Sequence, residues 1–359
     1  MRENKKGMTN RERVEALLRH EKPDRVPNWP VTPVGFSMIS SGHPIVDGYN
    51  NPEISLAAQR RTCEDFDWVF YPVFINGCAL AKEFGGEIKL PTSEFAQASM
   101  ITRFPVETEE DVWNLKMPDA KTAGNTPIAM ELFNLSSQER LDNEPFNVMI
   151  WQVVFTAAAN ICGIEKMARW LIKKPEVAHH LLRMTVDYDI ELARYYKDTF
   201  GTETVLPFIG EPSVSNQIIS PKQFEKFALP YIKELCEALL DMGYKHLFVH
   251  ICGEQNLNMP YWAQIPFGDP GIVSVGHEVD IKKAADYFPN DIIMGNLEPA
   301  IIQMNTAEEV YEATKQLVEE GKKISGGYLF SPGCELPPMA PIENVRAITK
   351  AIDDFGWYE

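Results

Sequence analysis

Hydrophobic and polar positions change period repeatedly along this chain. Short apolar or β-branched runs recur as VPNWPVT (26–32), WVFYPVFI (68–75), NVMIWQVV (147–154), TVLPFIG (204–210), HLFVHIC (246–252), GIVSV (271–275), DIIMGN (291–296) and GYLFSPG (327–333). Each has the length of a buried strand. Between most of them the apolar residues fall three and four apart, as in IEKMARWLIKKPEVAHHLLRMTVDYDIELARYYKD and PKQFEKFALPYIKELCEALLDMG. That spacing is the mark of an amphipathic helix. Strand and helix alternating through eight strands predicts an α/β chain folded as a (β/α)₈ TIM barrel. A doubly wound open sheet competes, but no glycine-rich phosphate loop follows the first run.

Ahead of the barrel, Thr9-Asn10-Arg11-Glu12 has the form of a capping box, with Val14, Leu17 and Leu18 behind it at helical spacing. An N-terminal helical extension ending before Pro23 is predicted. Residues 76–146 are too long for one connection and contain EFGGEIKLP and ETEEDVWNL. This insertion after the second strand is expected to be an elaborated connection over the barrel mouth. With no repeat and no linker, residues 1–359 read as a single barrel domain.

Composition narrows the partners. A chain that is 45% hydrophobic carries enough apolar residues for a large core. A net charge of −17 and a pI near 4.9 set it against nucleic acid and anionic membrane surfaces, and leave small molecules or a protein partner. The start, MRENKKGMTNRERVEALLRHEKPDRVP, lacks a secretory apolar core, so a cytoplasmic address is expected. The six cysteines do not cluster into a disulfide framework, and a reducing compartment keeps thiols free as metal ligands. Cys63, Cys78, Cys162 and Cys236 stand beside no His or Cys and read as structural.

The candidate chemistry lies at His250 and Cys252, in HLFVHICG, and at Cys334, in SPGCELPP. One imidazole and two thiolates supply three positions of a tetrahedral zinc site and leave the fourth for solvent or substrate. The alternative is a hydrogen-bonded core histidine with two small buried cysteines. Barrel logic favours the metal, because catalytic residues sit at the C-terminal ends of strands. His250 and Cys252 close the fifth run, with a spacing that points both to one side, and Cys334 follows the eighth. The same rule draws in Glu211, His277, Glu278, Asn296, Glu298 and Asn76. Of these, Glu211, Glu278 and Asn296 are taken as candidate catalytic residues, and Glu211, His277 or Glu278 as a group able to hold the open position. Trp29, Phe36, Tyr71, Trp151 and Phe208 are candidates for an aromatic wall at the entrance, or for core. Asp65 to Trp68 and Glu107 to Asp111 read as solvated faces.

On these residues the chain resembles the uroporphyrinogen decarboxylase superfamily, and within it the zinc-dependent corrinoid methyltransferases. The resemblance runs from MTNRERVEALLRHEKPDRVP through EPSVSNQIISPKQFEKFALPYIKEL to HICG, GNLEP and SPGCELPPMAPIENVRAITKAI. It implies a barrel, zinc held by His250, Cys252 and Cys334, and methyl transfer to or from the cobalt of a corrinoid. The metal-free decarboxylases of the superfamily carry an arginine-rich segment of the form RQAGRYLPE. Here the stretch reads WPVTPVGFSMISSG, without the arginine suited to a substrate of many carboxylates.

No corrinoid-binding Asp-x-His-x-x-Gly pattern occurs in the chain, so the cobalamin is expected on a partner corrinoid protein, docked on the 76–146 insertion or on loops around Pro260 to Pro270. The small molecule is expected to be a methylated donor, such as a methoxylated aromatic or a methylamine-like compound, or else a thiol or tetrahydrofolate acceptor. Two other readings stand beside this one. They are a metal-independent decarboxylase of the uroporphyrinogen type and a non-catalytic, zinc-stabilised corrinoid-binding protein.

Overall fold

A computed structural model describes residues 7–74, 78–96 and 98–359; Asn76 lies outside them. Six parallel strands form the sheet: β3 (Val148–Gln152), β4 (Val205–Gly210), β5 (Phe248–Ile251), β6 (Ile272–Val275), β7 (Ile292–Leu297) and β8 (Tyr328–Pro332), hydrogen-bonded in chain order. Helices alternate with them, and the fold is the expected TIM barrel. Buried on both faces, these strands read as continuous apolar runs.

The first two predicted strands are corrected by the structure. Residues 26–32 and 68–74 form no ladder strand among the described residues. They are tied in by single bonds instead: Trp29 N–H donates to Phe330 O at 2.9 Å, Phe330 N–H to Pro27 O at 3.0 Å, and Val69 N–H to Asn28 O at 2.7 Å. Pro27, Pro30 and Pro72 remove N–H donors from these segments, although proline alone does not bar pairing in this sheet, since Pro207 sits within β4.

The N-terminal helix Asn10–Leu18 forms as predicted, with both capping-box bonds between Thr9 and Glu12. The 76–146 segment holds a helix Ala79–Glu83, a hairpin of β1 (Glu87–Lys89) and β2 (Met100–Arg103), and helices Glu109–Asn114 and Thr126–Gln138. The acidic ETEED run is the start of Glu109–Asn114, capped by Thr108 and Asp111. Acidic groups there suit the positive end of the helix dipole.

Side chains alternate between two cores. Met149, Leu206, Phe248, Ile272, Ile292 and Leu329 point into the barrel with Trp29 and Tyr71. Ile150, Ile209, Val249, Val273 and Ile293 point out to the helices. This two-residue period places the side chains of the site.

Candidate functional site

On β5 the alternation puts Val249 and Ile251 in the outer core and Phe248 in the inner one. His250 and Cys252 share the parity of Phe248 and reach the barrel interior near its C-terminal end. Cys334 arrives two residues past the end of β8. The ligand-capable atoms of His250, Cys252 and Cys334 lie within 4.8 Å of one another, the one such convergence of three His, Cys, Asp or Glu side chains among the described residues. The two sulfurs are 3.6 Å apart. Tetrahedral zinc with Zn–S bonds near 2.3 Å separates two sulfurs by about 3.8 Å, so the donor set fits that ion.

His250 is oriented from behind. Its Nδ1 lies 2.9 Å from Ser274 Oγ, on the residue that faces it across the β5–β6 register. Its Nε2 is buried without any hydrogen-bond partner. An orphaned imidazole nitrogen beside two thiols is costly unless something binds there, and neutral imidazole with one nitrogen engaged is the form that ligates a metal. The thiols are already coupled. The Cys334 thiol is pulled down to about 4, first by the hydrogen bond shared with Cys252 and then by His250. Cys252 is pushed far up by the same shared proton, by burial and by the nearby Glu278 carboxylate.

The remaining predicted residues divide by what they touch. Glu211, fully buried at the end of β4, accepts four hydrogen bonds: from the N–H groups of Val154 (2.6 Å), Phe155 (2.7 Å) and Thr156 (2.9 Å), and from Thr156 Oγ1 (2.8 Å). It clamps the start of helix Phe155–Cys162. Burial pushes its pKa up while those donors pull against it. Asn296 donates to Gly276 O at 2.9 Å and Val279 O at 2.6 Å, and so staples the loop after β6.

That loop carries Glu278. Its Oε2 is buried and makes no hydrogen bond, and the nearest basic atom is His277 Nδ1 at 3.5 Å. Gly276 makes room for it, since a Cβ there would lie 2.6 Å from Oε2. His277 also lies 4.0 Å from Glu298, on the rim.

A cavity of about 250 Å³ opens onto His250, Cys252 and Cys334. Trp151 and Phe208 line it, with centroids 4.1 Å apart, and Phe208 also stacks toward His250. Trp29, Phe36 and Tyr71 belong to the core instead. Sequence reasoning missed Ser274 and the valines of the wall; the inward parity of a serine in GIVSV was the available signal for the former.

The sequence profile of the uroporphyrinogen decarboxylase (URO-D) family matches residues 9–355. The chain belongs to the URO-D family. Within that family it is 29% identical over 358 residues to the methylcobamide:CoM methyltransferase MtbA of Methanosarcina acetivorans, covering 97% of this chain and 99% of that protein. It is 26% identical to a methylated-thiol–coenzyme M methyltransferase of Methanosarcina mazei over 68% of this chain and 61% of the relative. A uroporphyrinogen decarboxylase of Anaeromyxobacter dehalogenans is 21% identical over 96% of this chain and 99% of its own. Among solved structures, a methyltransferase from Methanosarcina mazei shares the fold, with a TM-score of 0.82 at 21% identity over 97% of this chain and 99% of that one. This URO-D chain has no helix among its described residues long and apolar enough to cross a membrane.

Proposed function

We propose that this chain is a zinc-dependent methyltransferase that moves a methyl group between a small molecule and the cobalt of a corrinoid held on a separate protein. The observation that carries this reading is the unpartnered, buried Nε2 of His250 beside the Cys252–Cys334 pair. The methylcobamide methyltransferase relatives support the corrinoid partner. Zinc at these residues supplies Lewis acidity, which favours a thiolate in one direction or activates the heteroatom of a methylated donor in the other, as in O-demethylation.

The protein's own residues do the rest. Ser274 fixes the ring orientation of His250. Trp151, Phe208 and the valines beside them keep water from the reacting atoms. Glu278, whose Oε2 is buried without a hydrogen bond and whose charge acts on Cys252, is our candidate to hold the fourth position until a substrate arrives. Glu211 and Asn296 act by positioning the helix and the loop that frame the cavity. We place the reaction in the cytoplasm, in a single barrel domain with the corrinoid protein docked over its mouth.

A decarboxylase reading needs cations for an acidic tetrapyrrole, and neither Lys nor Arg is among the described residues lining the cavity. Metal analysis with Cys334→Ser tests the proposal. Wild-type protein is expected to carry about one zinc. The variant is expected to keep its circular dichroism spectrum and melting temperature, bind zinc weakly and lose about 100-fold or more in methyl transfer. Full activity in the variant would remove Cys334 from the site. A collapsed melting temperature would favour the non-catalytic, zinc-stabilised reading.

A further inference from the structure

The cavity that reaches the three ligand residues has walls of Val31, Val34, Val73 and Val153 beside Trp151 and Phe208. Among the described residues that line it, the one ionisable group besides the ligand set is the carboxylate of Glu335. The Thr156 hydroxyl on the wall is already committed, donating to Glu211 and accepting from Ser213 N–H. Among its described lining residues the pocket is mostly apolar, with the Thr32 and Thr156 hydroxyls and the Trp151 indole N–H as its neutral polar groups, one carboxylate, and neither Lys nor Arg to pair with an anion.

We infer that the site selects its small molecule by charge. The substrate is neutral apart from its reacting atom, has an apolar body of about one substituted ring, and presents an ether oxygen or a sulfur to the metal. A thiol bearing a sulfonate at its far end, as coenzyme M does, is rejected. This inference rests on the methyl-transfer reading above and adds the substrate class.

Three arguments carry it. An anion moved from water into an apolar pocket without a cation keeps its desolvation cost unrepaid. The volume suits a ring, since an apolar cavity of about 150 Å³ already holds benzene. Cationic methylammonium compounds fail for a different reason: a protonated or quaternary nitrogen has no lone pair to offer a Lewis acid.

The test is a spectral titration of the cobalt(II)-substituted protein with benzenethiol and with 4-sulfobenzenethiol, which differ only by the sulfonate. Benzenethiol is expected to bind at least ~30-fold more tightly. Equal or tighter binding of the sulfonated thiol would overturn the charge selection and leave the metal reading standing. A chain that takes up no cobalt would remove the metal reading, and this inference with it.

Methoxybenzene and methylthiobenzene, added as competitors, distinguish the oxygen from the sulfur arm; competition by neither counts against the class. Ala98→Lys, at an exposed position on the cavity wall, is expected to narrow the thiol gap by about tenfold. An unchanged gap would show that charge is not what discriminates.

Discussion

Replacing Glu211 by Gln separates a clamp from a ligand. The carboxylate accepts from three backbone N–H groups and one hydroxyl in a fully buried position. In Glu211→Gln the amide oxygen can keep the Val154 and Phe155 donors while the NH₂ turns to Thr156. The threonine hydroxyl can rotate and accept, but the Thr156 N–H cannot, so one buried donor is left facing another. An unsatisfied buried N–H costs about 1–3 kcal/mol, and losing the charge on the retained pair adds about 1 kcal/mol. The expected destabilisation is thus about 2–4 kcal/mol. Glu211→Ala strands three N–H groups and should cost more, about 4 kcal/mol or above. Urea unfolding followed by circular dichroism at pH 7 reads these values, and elemental analysis of the same samples reads zinc. Glu211→Gln is expected to keep about one zinc per chain. If it lost the metal while keeping wild-type stability, Glu211 would be a ligand and the clamp argument would fail.

Ser274→Ala frees Nδ1 of His250 and is expected to weaken zinc binding by about 10–100-fold in competition with a chromophoric chelator; an unchanged affinity would mean that the serine does not orient the ring. Glu83, buried in the insertion, has its pKa pushed up to about 7 by burial, with Lys82 among the weaker opposing influences. The folded chain therefore holds this proton when the unfolded chain has lost it, and stability falls by about 3 kcal/mol as pH rises from 4.5 through 7. Glu83→Gln should flatten that slope and raise stability at pH 8, and a variant that kept the full slope would assign it to another group, such as buried Asp189.

Six of the eight barrel runs were legible because an apolar run between two amphipathic helices has few other uses. The runs at 26–32 and 68–75 misled because their apolar content answers to burial, which single bonds such as Trp29 N–H to Phe330 O satisfy without a ladder. His250 and Cys252 were legible from parity, and Cys334 from its place after the last strand. The role of Glu211 was not, since its partners Val154 to Thr156 follow a different strand and meet it only through the fold. Depth was equally hidden. Trp151 and Phe208 reach the cavity while Trp29 and Tyr71 fill the layer below, and sequence records which way a strand residue points better than how far along the barrel it lies.

The bond from Val31 N–H to Ser331 Oγ closes the ring across 300 residues of chain. During synthesis the sulfur of Cys252 is made 82 residues before that of Cys334, which at about 5–20 residues per second is an interval of roughly 4–16 s. Throughout it the nascent chain owns one imidazole and one thiol of the set. On the proposed zinc reading, metal capture would wait until the last turn of the barrel has docked, and an ion seated on all three residues would certify that the two ends of the molecule have met.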